Sequence, residues 1–290
     1  MAKKSIISTE IEGIAVKVGE EKAVELVAKA GFDAFDLSLM VNMIKYDWST
    51  GTACIPDHPF TSSNYLKLAK SIKKVAEDNG IYCNQSHAPF PIYDSLVKDQ
   101  IKRALEISAE VGSKICVVHP NNYKSPQENA ELYAEFLPYA KELGIKIATE
   151  NMFNWDNNGK FALEAACSMP QNFLEHVKAV NDDYLVACLD IGHAEIFGDK
   201  TSAVEMIKTL GKHLQALHIH DNDKRFDRHN LPYLGKIEYS PIIKALKEID
   251  YKGEFTLEAT EFLKQHSDPV VALDMAQTAA RKIADEFDSL

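Results

Sequence analysis

Short apolar runs recur along this 290-residue chain, and one after another they end in a side chain able to hold a metal ion. The run beginning at Ile81 ends in His87. Lys114 to Val118 leads to His119, Ile145 to Thr149 to Glu150, and Leu185 to Leu189 to Asp190. Leu214 to Leu217 leads to His218, and Glu254 to Leu257 to Glu258. If the runs are parallel strands, their last side chains all emerge at one rim. A rim of imidazoles and carboxylates is a metal site. That constraint governs which folds suit the chain.

Between the runs lie helical patterns. Leu66, Ala69, Ile72 and Val75 put an apolar stripe on residues 62–79, and Ile101, Ala104, Leu105, Ser108 and Val111 do so on 93–111. Gly80, Gly112 and Gly144 are evenly spaced, and each closes a helical pattern just before a strand run, where a left-handed residue suits the helix end. Strands are expected to begin near Ser5, Ala34, Ile81, Lys114, Ile145, Tyr184, Leu214 and Glu254. Helices are expected at 20–30, 62–79, 93–111, 127–143, 170–180, 202–211, 239–249 and 268–287. Eight strands alternating with eight helices point to the α/β class and a (β/α)8 TIM barrel, a single domain over residues 1–290. An open doubly wound sheet is the alternative, but no Gly-rich dinucleotide fingerprint follows the first strand.

Composition narrows the function. Asp and Glu outnumber Lys and Arg by 43 to 32, a net charge of −11, which disfavours nucleic acid and anionic membrane. No apolar run approaches the roughly 18–20 residues needed to span a bilayer. The five cysteines lack disulfide-like spacing, and Cys83, Cys116 and Cys188 sit inside apolar runs, so a reducing cytoplasm is expected. There is no Gly-x-Ser-x-Gly elbow, no Gly-x-x-x-x-Gly-Lys phosphate loop, no Cys-x-x-Cys pair and no His-Glu-x-x-His helix. Serine nucleophile chemistry and nucleotide hydrolysis therefore have no support.

The chelating segments differ in weight. A lone Glu after a strand is commonly a solvated loop residue, but Glu150 and Glu258 occupy equivalent places in two βα units, and barrel closure turns them towards each other. Asp190 and His193 are three residues apart after a buried run; the plainer reading makes Asp190 a helix cap. His218 and His220 would share a strand face and point together; alternatively they are hydrogen-bonded structural histidines. Asp227 and His229 follow in a loop closed by Pro232 and Gly235 and read as extra ligands or substrate contacts. His87 and His119 complete the rim as lining residues. Two long connections, 38–61 with Tyr46, Trp48, Cys54, Pro56 and His58, and 151–169 with Phe153, Trp155 and Phe161, carry aromatics either to cover a small ligand or to pack on themselves.

At these residues the chain resembles the xylose-isomerase-like barrel superfamily, the sugar isomerases and epimerases to which endonuclease IV is related. The marks are Glu150-Asn151, Leu189 to His193, His218 to Asp221, Asp227 to His229 with Pro232 and Gly235, and Leu257-Glu258. The resemblance implies that Glu150, Asp190, His218 and Glu258 bind one divalent ion, and that His193 contacts substrate. In the endonuclease, the positions matching His87, His119, His193, Asp227 and His229 join those four to hold three zinc ions. The loop 38–61 has Lys45 as its one basic residue, and a phosphodiester substrate calls for many, so a small sugar or polyol is the favoured substrate. An endonuclease IV-like enzyme and a metal-binding barrel without catalysis are the other readings. The implied chemistry is epimerisation or isomerisation of a ketose or related compound. Glu150 and Glu258 are the acid/base pair acting through an enediolate, beside manganese, zinc, magnesium or cobalt. Family habit suggests a homodimer.

Overall fold

Apolar runs with a period-two alternation become strands buried on both faces, and helices cover them. In the computed structural model, which describes residues 4–290, the barrel strands are β1 (Ile7–Glu10), β2 (Ala34–Ser38), β3 (Tyr82–His87), β4 (Ile115–Val117), β5 (Lys146–Glu150), β6 (Leu185–Asp190), β7 (Leu214–His218) and β8 (Phe255–Leu257). All are parallel, in the order β7-β6-β5-β4-β3-β2-β1-β8. The ring closes where Ile219, one residue beyond β7, pairs in parallel with Leu257 of β8. The expected eight-stranded TIM barrel is therefore the fold. Each strand starts within a few residues of its expected position, because the apolar runs are long enough to bury and short enough to be strands.

The outer layer holds Glu20–Ala30, Tyr65–Asp78, Ser95–Val111, Pro170–Val180, Ala203–Leu210, Tyr239–Glu248 and Pro269–Ser289, close to the expected helices. Gly112 and Gly144 close their helices at φ of +96° and +69°. One expectation needs correcting. The helix expected over 127–143 is two helices, Pro126–Ala134 and Leu137–Leu143. Pro138 sits in the first turn of the second helix. It has no amide proton to give the previous turn, so the chain breaks and restarts there. Short helices that apolar periodicity did not reveal, Glu12–Val18, Met40–Met43, Ile191–Ala194 and Thr260–Gln265, follow β1, β2, β6 and β8 directly.

Two cores result. The main one lies between strands and helices and contains Phe35, Ile72, Phe173 and Phe255. A smaller one of Val117, Ala148, Val186, Cys188 and Ala216 comes from alternate positions of β4 to β7. On the side of β1, β3 and β8 the corresponding residues are polar. Ser8 Oγ donates to Asn84 Oδ1 at 2.6 Å, and Asn84 Nδ2 donates to Thr256 Oγ1 at 2.9 Å. All five cysteines are free, four of them buried. No helix among the described residues is long and apolar enough to cross a membrane.

Tyr133 ties the first of the split helices to the barrel. Its buried hydroxyl donates to the Val118 carbonyl at 2.9 Å and lies 2.8 Å from Thr149 Oγ1. Tyr133→Phe leaves that carbonyl short of a partner and should cost about 1–3 kcal/mol. The check is the urea unfolding midpoint; an unchanged midpoint would show that these contacts add no stability.

Candidate metal centre

Parallel register brings the strand ends to one height. Asp190 stands beside His218, Ser38 beside His87, and Glu10 beside Asp36. Glu150, Asp190, His218 and Glu258 consequently offer ligand atoms that all lie within 4.8 Å of one another, and all four side chains are buried. Nδ1 of His218 is 2.9 Å from Glu150 Oε1 and 3.5 Å from Glu258 Oε2. His87 and His119 reach the other side of the same carboxylate, with Nε2 atoms 3.3 Å and 2.9 Å from Glu150 Oε2. Phe90 stacks on His119 at a ring separation of 4.4 Å.

A second group adjoins the first through Asp190. His193, His220, Asp227 and His229 also offer ligand atoms within 4.8 Å of one another. His220 Nε2 lies 3.0 Å from Asp190 Oδ1 and 3.5 Å from Asp227 Oδ1; His229 Nε2 lies 3.0 Å from Asp227 Oδ2. The rings of His220 and His229 stack at 4.0 Å. All nine residues expected at the site are thus gathered at one mouth. His218 and His220 do not work as one pair, however. Among the described residues no group of donor atoms within 4.8 Å of one another holds both, and His220 falls into the neighbouring group.

Local geometry explains the positions. Asp190 is indeed a helix cap, accepting from the His193 amide at 2.7 Å through Oδ1. Its Oδ2 is left over for the site, so capping leaves an oxygen free to act as a donor. Asn151 braces the same turn: it accepts from Asp190 N and donates to Asp190 O, both at 2.8 Å, and its carbonyl lies 2.9 Å from His193 Nδ1. Asp221 pins the loop that carries Asp227 and His229, accepting from the Asn222, Tyr233 and Ile237 amides at 2.8, 2.9 and 3.1 Å.

Burial raises the Glu150 carboxyl, but the His218 charge and hydrogen bonds from His119, His218 and His87 outweigh it and hold the group well below the ordinary range. Burial raises Glu258 too, and there the opposing imidazoles, His218 and His229, do not overcome it. Burial opposes charge on His193, yet Asp190 and Asp227 lift it to about 10. Burial likewise opposes charge on His218, and the Cys188 sulfur, Glu258 and Glu150 more than reverse it. Burial pushes His119 down to about 4.

The donors suit a divalent ion. Asp190 Oδ2 and Asp227 Oδ1 are buried with no hydrogen-bond partner, the state expected of atoms whose partner is a cation. Mixed imidazole and carboxylate donors fit zinc, manganese or cobalt.

Above the groups opens a cavity of about 520 Å³, within the range of small-molecule sites. Both long connections reach it. Each contains a hairpin, Lys45–Asp47 with Thr52–Cys54 and Asn154–Trp155 with Ala162–Leu163, and Trp48, Phe153 and Trp155 line the walls. The remaining loop aromatics do other work: Phe60 is buried in the core, and Phe161 is exposed beneath Arg225. His58 is turned to Glu20 at 3.0 Å. No lysine or arginine lines the cavity among the described residues.

Two buried acids of β1 and β2 escaped the sequence reading. Glu10 ends β1 as the chelators end their strands, and Asp36 interrupts an apolar run. The alternation rule applied to β1 and β2 would have found both.

Residues 24–281 match the model of the family described as xylose isomerase-like TIM barrel. The chain belongs to this family. It is 31% identical over 190 residues to the uncharacterized protein MJ1311 of Methanocaldococcus jannaschii, covering 59% of this chain and 62% of that protein. The chain spans between half and two thirds of the length of the curated relatives it matches. A crystal structure of a D-tagatose 3-epimerase-like protein shares the fold at a TM-score of 0.70 and 22% identity, over 98% of this chain and 99% of that one. The IolI protein crystallised with a zinc atom shares it at 0.73 and 19%, over 98% and 100%.

Gly192 makes the approach of the two groups possible. A Cβ at this position would stand 1.9 Å from the His220 ring. Gly192→Ala should therefore displace His220 and destabilise the protein by about 1–3 kcal/mol, read from urea unfolding. Parent stability would mean the ring moves aside freely.

Proposed function

We propose that this protein is a divalent-metal-dependent isomerase or epimerase of a small, uncharged sugar or polyol. The observation that carries the reading is the meeting of Glu150 and Glu258 on His218 Nδ1 at the floor of an aromatic-walled cavity. Glu150, Asp190, His218 and Glu258 would hold the ion. A divalent ion held there supplies Lewis acidity towards a carbonyl and its neighbouring hydroxyl. The protein residues then do the proton work. Glu258, with its carboxyl raised by burial, is suited to carry a proton to or from the carbon beside the carbonyl, and Glu150 serves the opposite face. Return of the proton to the opposite face of the same carbon inverts it; return to the former carbonyl carbon, with the hydroxyl proton passing between the two oxygens, moves the carbonyl. His193 is placed to bind a substrate hydroxyl, and Trp48 and Trp155 to cover the apolar face of the ring and exclude water. The lack of basic lining argues against a phosphorylated ligand.

The relatives named for their activity support the same class: solved structures with this fold include a D-tagatose 3-epimerase-like protein and an L-ribulose 3-epimerase. One observation favours a second reading, phosphodiester hydrolysis. The chelating residues form adjoining groups, as a multi-metal phosphodiesterase requires.

Incubating the metal-loaded protein in deuterated water with ketoses and inositol derivatives should show deuterium entering the carbon beside the carbonyl. Glu258→Gln should slow this by about 10²–10⁴-fold. Parent-rate turnover by Glu258→Gln would remove the acid/base assignment, and nicking of abasic-site DNA without sugar turnover would favour the second reading.

Metal uptake should also release protons. Burial opposes charge on His218, but the Cys188 sulfur, Glu258 and Glu150 hold it well above the ordinary imidazole range, so its ring must lose a proton to become a ligand. Affinity should therefore rise with pH. Calorimetry in buffers of different ionisation enthalpy checks this; uptake without proton release would show that other atoms bind the ion.

A further inference from the structure

Asp36 stands inside the barrel on β2, fully buried, and belongs to neither group. Its Oδ2 lies 3.2 Å from His218 Nε2 and accepts from Gln85 Nε2 at 2.8 Å, while Oδ1 has no partner. The opposite ring nitrogen, Nδ1, is the one that faces Glu150 and Glu258. A neutral imidazole carries its proton on one nitrogen and its lone pair on the other. An ionised carboxylate accepts and cannot donate, so beside Nε2 it keeps the proton there and leaves the lone pair on Nδ1. It also makes the ring a stronger donor, as carboxylate partners of metal-binding histidines do. Gln85 completes the arrangement, because its amide donor supports the oxygen that accepts from the ring. A carboxylate in this place is otherwise hard to account for: burial of a charge with one free oxygen costs stability.

We propose that Asp36 is a positioning residue that fixes the tautomer and direction of His218 and so sets the metal affinity of the centre. The inference rests on the reading of Glu150, Asp190, His218 and Glu258 as metal ligands. It adds a residue on a different strand that never touches the ion.

The test is competition of the metal-free protein against a chromophoric chelator for zinc and, separately, manganese(II). Asp36→Asn should weaken binding by about 10–100-fold. The melting temperature of the metal-free protein should not fall, because asparagine keeps the shape and removes one of several crowded negative charges. A purely structural role would lower it. In a His218→Gln background, Asp36→Asn should add less than about threefold, since its effect passes through the ring. Should the asparagine variant not fold, Asp36→Ser, whose hydroxyl stops one bond short of the ring, should weaken binding at least as much. Parent-like affinity in Asp36→Asn, or a full additional loss in the His218→Gln background, overturns the role of Asp36. A parent protein that takes up neither metal overturns the metal centre itself, and this role with it.

Discussion

Two backbone hydrogen bonds close the barrel: Ile219 N to Thr256 O and Glu258 N to Ile219 O, both at 2.9 Å. They join the two ends of the strand order. In an open sheet of eight strands those ends would lie roughly 30 Å apart, given about 4.8 Å between neighbours. Here His218 and Glu258, from β7 and the end of β8, are 3.5 Å apart. Closure also explains why the site has two sides. Glu150 reaches His218 across β6, and Glu258 reaches it across the seam, so the ring is clasped from both directions. Every later property of the mouth depends on this seam.

Packing so many acids and imidazoles together has an electrostatic consequence. Glu10, Asp36, Glu150, Asp190 and Glu258 are all buried at or near the strand ends. Charged groups in such a place are tolerable only with counter-charge and hydrogen bonds. Burial opposes charge on His193, His218 and His229, but the carboxylates around them hold these rings above the ordinary imidazole range, so they supply counter-charge. Glu10 responds in the other way: burial and its neighbour Glu12 raise its carboxyl well above the ordinary range. A divalent cation would take over the role of the imidazolium protons. The same crowding that makes the centre costly to fold gathers the donors of a candidate metal site.

Much of this was readable along the chain. Runs such as Val186 to Leu189 can only be buried strands, and a chelator at the end of each makes sense once the strands are parallel. The evenly spaced Gly112 and Gly144 marked helix ends because the left-handed conformation favours glycine. What escaped were features set by non-local contacts. Asp36 looks like an isolated polar residue in an apolar run until β7 places His218 against it. The break at Pro138 was visible in principle, but the apolar pattern continues through it and masks the interruption. The short helices after β1, β2, β6 and β8 are too brief to develop a periodic stripe.

The division between sequence and tertiary structure follows from the range of the forces involved. Alternating burial, helix punctuation and the identity of the side chain at each strand end are local, and the chain alone determined them: an eight-stranded barrel with imidazoles and carboxylates at one mouth. Which of these side chains stand together was decided only in three dimensions. His218 and His220 are two residues apart, yet they serve different groups, while Glu150 and His218 are 68 positions apart and stand 2.9 Å from each other. Coordination works over a few ångströms, and only the closed, registered barrel brings distances of that order between distant segments.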